Sequence, residues 1–128
     1  MPGDVFSTSG LKLELEEKPE ETIVYCHGRV VADSAQWFQE TIRDRIIPMS
    51  RGKGVAVTSR IVLDLSHVSF IDSTGLGSLL TVWTAAQRRG CDMEIVNPGA
   101  RVEEVLSITK LDQVFNKMKN LFGGNHGK

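Results

Sequence analysis

Cysteine is scarce in this chain, long apolar runs are absent, and neither sign of charge dominates. Two cysteines, Cys26 and Cys91, are too few for a disulfide framework or a cysteine-rich zinc site. Each falls within a strand-like pattern, where a thiol serves as a small buried apolar side chain. No run approaches the ~18 apolar residues of a membrane span. The start, Met1-Pro2-Gly3-Asp4-Val5, lacks the basic and apolar regions of a signal peptide. These absences predict a cytoplasmic protein. With 15 basic and 16 acidic residues the net charge is -1, which argues against nucleic acid as the main partner.

Reactive constellations are equally sparse. The histidines are His27, His67 and His126, and nothing in the sequence pairs them with a nucleophile. There is no His-Glu-x-x-His or Cys-x-x-Cys, so no metal is expected. The phosphate-loop pattern is missing. Gly75-Leu76-Gly77 is half of a dinucleotide fingerprint, with Leu80 where the last glycine belongs. The surroundings of Ser73 are not a nucleophile elbow. No enzymatic activity and no cofactor are expected.

What is present is a patterned chain with 41% hydrophobic residues, enough for one core in 128 residues. Leu11 to Glu16 alternates as a half-buried strand, and Thr22 to His27 is β-branched and aromatic, completing an antiparallel hairpin. Asp33, with Gln36 three residues on, predicts a capped helix whose buried face is Phe38, Ile42 and Ile46 and which stops at Pro48. A linker with Arg51 and Lys53 runs from Ser50 to Ser59. Ile61 to Leu65 reads as a central strand. Leu76, Leu79, Leu80 and Trp83 mark a second helix ending at Arg88, Arg89 and the cap Gly90. Cys91 to Ile95 alternates again. Asn97 and Pro98 then suit the start of a third helix buried through Val102, Val105 and Leu106. Leu111 to Phe122 predicts a short strand or final helix. The expected fold is a single α/β domain over residues 11–122, with a mixed, mostly parallel sheet, an antiparallel edge strand and three to four helices. Residues 1–10 and 123–128 are expected as flexible termini.

One stretch combines positioning, exposure and usable chemistry: Phe70-Ile71-Asp72-Ser73-Thr74-Gly75-Leu76-Gly77. Asp, Ser and Thr are all preferred helix N-caps, worth ~1 kcal/mol when used. Capping needs only one of them. Gly75 and Gly77 each weaken a helix by ~0.8–1 kcal/mol relative to alanine. That cost points to a surface approached closely by another protein, with a phosphorylatable serine at the positive end of a helix dipole.

Ile61-Val62-Leu63-Asp64-Leu65 through Asp72-Ser73-Thr74-Gly75-Leu76-Gly77-Ser78-Leu79-Leu80, and more weakly Asn97-Pro98 and Val102 to Leu111, resembles the STAS family, shared by sulfate transporters and anti-sigma factor antagonists. The resemblance spans about Leu11 to Phe115. It implies that Ser73 is phosphorylated by an anti-sigma factor that is itself a serine kinase, and dephosphorylated by a phosphatase. The unphosphorylated form would bind the anti-sigma factor and release a sigma factor. Asp72, Thr74, Gly75, Leu76 and Gly77 would form the docking surface. Family members often carry an acid after the second strand, where this chain has Val31 in Gly28-Arg29-Val30-Val31, so that role would pass to Asp33. The alternative is an unphosphorylated STAS subunit of a transport or signalling complex.

Overall fold

Alternating leucine and charge in Leu11-Lys12-Leu13-Glu14-Leu15 puts apolar side chains on one side of an extended chain. The computed structural model describes residues 4–51 and 59–110. It opens with β1 (Val5–Thr8) and β2 (Leu11–Glu17), paired antiparallel, with the three leucines buried. β1 lies in the stretch expected to be a flexible terminus; four residues of mixed character offer no readable pattern, and pairing defines the strand. β3 (Thr22–Val30) runs antiparallel to β2. β4 (Ser59–Ile71) lies parallel to β3, and β5 (Cys91–Val96) parallel to β4. The strands stand in sequence order, giving the mixed α/β sheet with an antiparallel edge.

Between β3 and β4 the chain forms one helical body in three parts: α1 (Ala32–Thr41), a π turn over Ile42–Ile46, and α2 (Ile47–Arg51). Phe38, Ile42 and Ile46 are buried as their spacing predicts. The helix does not stop at Pro48. In the π turn the Ile47 N–H bonds the carbonyl of Ile42, five residues back. Continued one residue, that register would ask Pro48 to donate to Arg43, and proline has no N–H. The Arg43 carbonyl is instead served by Arg89 Nη1, which donates at 3.0 Å.

The helix start also differs from expectation. Asp33 sits inside the first turn and the capping position is Val31. Ser34 Oγ accepts from the Val31 N–H at 3.2 Å and donates to the Arg29 carbonyl at 2.8 Å. The Gln36 amide is occupied by Glu40. A local capping pair is unnecessary because the first N–H of α1 is taken by a carboxylate from elsewhere in the sequence, described below.

α3 (Ser73–Arg88) joins β4 to β5 and ends at Arg89, followed by Gly90 in the left-handed region at φ 74°. α4 (Ala100–Ile108) starts later than Asn97-Pro98 predicts, with Gly99 as its cap. Asn97 instead adopts φ 54° and gives its amide to Asp64 Oδ2 at 3.0 Å. Val102 and Leu106 are buried and Val105 is half-buried. The expected segment from Leu111 to Phe122 lies outside the described residues, as does most of the Arg51–Lys53 linker.

A single cluster holds these parts together. Leu13, Leu15, Val24, Ile61, Leu63 and Met93 from the sheet meet Phe38, Ile42, Leu79, Val82 and Trp83 from the helices. Burying each such side chain contributes ~1.5–3 kcal/mol. Trp83 satisfies its one polar atom by donating to the Met93 carbonyl at 3.1 Å. Cys26 and Cys91 are buried free thiols, and burial, with a smaller push from Asp64, raises Cys26 to about 12, which keeps it protonated.

Candidate functional site

The carboxyl end of β4 delivers the chain directly into α3, and Asp72 stands at the junction in an extended conformation suited to an N-cap. Asp72 Oδ1 accepts from the Gly75 N–H at 2.8 Å, closing the first turn of α3. Its Oδ2 accepts from the Ala32 N–H at 3.0 Å, closing α1 as well. One carboxylate therefore satisfies backbone donors at the positive ends of two helices. Of the three candidate caps at this turn, the acid alone does the capping.

The two glycines separate with equal clarity. A Cβ on Gly75 would lie 2.0 Å from the Val30 carbonyl oxygen and 2.8 Å from Ile71 Cγ1, so the end of β3 leaves no room for a side chain. A Cβ on Gly77 would meet nothing within 4 Å. Gly75 and Leu76 are buried, whereas Ser73, Thr74 and Gly77 are exposed. The hydroxyls of Ser73 and Thr74 make no hydrogen bond among the described residues. Asp33, beside Ala32 in the first turn of α1, is exposed too. The residues singled out from sequence thus divide: Ser73, Thr74, Gly77 and Asp33 face outward, Asp72 is half-buried and bonded, and Gly75 and Leu76 support the turn from beneath. Phe70, 39% exposed at the end of β4, adds an apolar side chain close by in sequence.

On the other side of the sheet lies a cluster the sequence reading did not assemble. His27 and His67 stack with ring centroids 4.9 Å apart. His27 Nε2 lies 3.2 Å from Glu14 Oε1, at an angle that does not make a hydrogen bond. Asp64 Oδ1 accepts from Ser66 N at 2.9 Å and Ser66 Oγ at 2.6 Å. Burial pushes the Asp64 carboxyl up, but these bonds, the Asn97 amide and the nearby His67 outweigh it and hold the group below its ordinary value. Pairing of β3 with β4 could have found the two histidines, but a register shift intervenes: Tyr25 faces Asp64 while His27 faces His67. Further along the same face, Arg60 gathers Glu21 at 3.2 Å, Asp92 at 3.1 Å and Glu94. No group of three metal-ligating side chains occurs among the described residues. No helix among them is long and apolar enough to cross a membrane.

A sheet of this order, with a capped serine turn opening the helix after its central parallel strand, defines a class. The model of the STAS domain family matches residues 12–123, and the chain belongs to that family. A Thermotoga neapolitana protein named "Putative anti-sigma factor antagonist TM1081 homolog" is 41% identical over 82 residues, covering 64% of this chain and 66% of that protein. The match therefore spans just under two-thirds of that relative's length. Among solved structures, the Thermotoga maritima protein TM1081, again a putative anti-sigma factor antagonist, superposes with a TM-score of 0.66 at 25% identity, covering 80% of this chain and 81% of its own. The anti-sigma factor antagonist SpoIIAA in its unphosphorylated form shares the fold at TM-score 0.60 and 19% identity, over 89% of this chain and 99% of its own.

Proposed function

We propose that this protein is an anti-sigma factor antagonist: in its unphosphorylated form it binds an anti-sigma factor and frees a sigma factor, and phosphorylation of Ser73 switches it off. The anti-sigma factor would itself be the serine kinase, a phosphatase would reset the switch, and both would meet the protein in the cytoplasm. The observation that carries this reading is the division of labour at the turn. Asp72 closes both helices, while Ser73 beside it is exposed and its hydroxyl is bonded to nothing among the described residues. A phosphate can therefore be added without removing any contact that holds the fold.

Phosphorylation brings about -1.5 to -2 charges at pH 7. At the N-terminus of α3 that charge is tolerated by the helix dipole, so the domain keeps its structure. A partner packed on Ser73, Thr74 and Gly77 would instead meet a solvated dianion next to Asp72. Losing ~4 kcal/mol of binding there weakens an interface about a thousandfold. The names of the similar proteins and their shared fold support the same reading.

The test is affinity capture from native lysate with wild type, Ser73→Ala and Ser73→Asp, the captured proteins being identified by mass spectrometry. An anti-sigma kinase held by wild type and Ser73→Ala and released by Ser73→Asp is the expected result. Equal capture by all three would overturn the switch and favour an unswitched STAS subunit of another complex.

A further inference from the structure

The body of α3 is unusual for a helix with an outward face. From Ser73 to Gln87 it contains no Asp, Glu, Lys or Arg, whereas the solvent face of a helix ordinarily carries charge. Ser73, Gly77, Thr81, Thr84 and Arg88 follow helical spacing along one face, and all are exposed or half-buried. That strip is ~22 Å long at 1.5 Å per residue. One end is the Ser73 turn. The other opens into a cleft of about 460 Å³ between α3 and the π turn, with Leu80, Thr84 and Ala85 along α3 and Arg43, Arg88 and Arg89 around it.

The charges around this cleft do not cancel. Arg43 is engaged by Asp44, with Nε at 2.8 Å and Nη2 at 3.0 Å from its oxygens. Arg89 spends one N–H on the Arg43 carbonyl. Arg88 is exposed, and its guanidinium forms no hydrogen bond or ion pair among the described residues. Glu40 also acts on Arg43 through its charge, so among the described residues three guanidinium groups against two carboxylates leave one positive charge beside an apolar floor. Arginines at a helix C-terminus complement its dipole, which accounts for Arg88 and Arg89 individually. It accounts neither for Arg43, contributed by another helix, nor for the uncharged concave surface they surround. Protein interfaces deplete charge at their centre and are enriched in arginine, which is the arrangement here.

We infer that this cleft is a second docking point, taking an acidic–aliphatic segment of the partner protein: an aliphatic side chain on Leu80 and Ala85, with carboxylates on Arg88 and Arg89. The identity of that partner rests on the function proposed above; the chemistry of the cleft does not. Ser73 and the cleft form two ends of one contact strip, so phosphorylation at one end removes a partner that the other end continues to attract.

Two measurements test it. In a ¹⁵N-labelled titration with a short peptide alternating leucine and glutamate, backbone shifts should fall on Leu80, Thr81, Thr84, Ala85 and Arg88. They should fade with added salt, vanish in Arg88→Glu, and be absent with the leucine–lysine counterpart. With the captured anti-sigma factor, Arg88→Glu and Thr84→Glu should each weaken binding about tenfold, mostly in the association rate, with circular dichroism unchanged. A silent peptide titration, or wild-type affinity in both variants while Ser73→Asp abolishes binding, would sink the cleft and leave the switch standing. Peptide shifts and a weakened Arg88→Glu, with Ser73→Asp binding normally, would do the reverse.

Discussion

Asp72 and Ser73 are neighbours in the chain and opposites in their bonding, and the contrast extends through the whole turn. On its inner side, Asp72 holds two helix N-termini at 2.8 and 3.0 Å, and Gly75 lets the end of β3 approach a helix more closely than any side chain would allow. On its outer side, Ser73 and Thr74 carry hydroxyls that are unbonded among the described residues, and Gly77 faces open space. The inner half is architecture and the outer half is available for recognition. A glycine that looks costly in sequence therefore has two different explanations within one helical turn.

This contrast can be broken by substitution. Gly75→Ala should have the largest effect: its methyl would overlap the Val30 carbonyl oxygen, a backbone atom, which puts it at the upper end of the ~1–3 kcal/mol that overpacking typically costs. Urea unfolding measures it, and a variant as stable as wild type would show that β3 and α3 are not so tightly apposed. Asp72→Ala should follow, losing ~2 kcal/mol because two helix N-terminal donors, Gly75 part-buried and Ala32 exposed, lose one acceptor. A loss below ~0.5 kcal/mol, the usual range for surface changes, would mean that the acid is no linchpin. Gly77→Ala should act in the opposite direction, raising stability by ~0.5–1 kcal/mol through helix propensity while weakening partner binding. Higher stability with undiminished binding would remove Gly77 from the proposed docking surface.

The smallest effect is a control outside the turn. Asp64, held below its ordinary value by Ser66 and Asn97 despite burial, favours the folded state when ionised. Its contribution is complete above the unfolded carboxylate pKa of ~3.9 and is lost as pH falls through its lower folded value. The stability gap between wild type and Asp64→Asn should therefore be full at neutral pH and close in strong acid. A gap unchanged down to the acid limb of unfolding would show that hydrogen-bond geometry, not ionisation, is responsible.

How much of this could be read in advance follows the range of the interactions. Apolar periodicity is local, so the leucines of β2, the Phe38–Ile42–Ile46 face and the Ile61–Leu65 run were legible. Helix ends were not, because their partners came from afar. Ala32 is capped by a residue 40 positions away, which made Asp33 and Gln36 look like a capping pair they do not form. Asn97 serves Asp64 rather than α4. Pro48 signals a helix stop in any local pattern, and only the π turn with Arg89 beneath it explains the continuation. At the candidate site, the residues were visible as a motif, but which glycine was structural depended on where the end of β3 would lie. The histidine pair was concealed by a register shift that no single strand reveals.

Because Asp72 and not Ser73 carries the bonds that close α1 and α3, the hydroxyl is free to change independently of the fold. A lineage can lose the modifiable side chain by one substitution, and regain it by another, without passing through an unfolded ancestor. The proposed regulation at this turn would thus be separable from inheritance of the domain, leaving the same scaffold open to both switched and permanently active descendants.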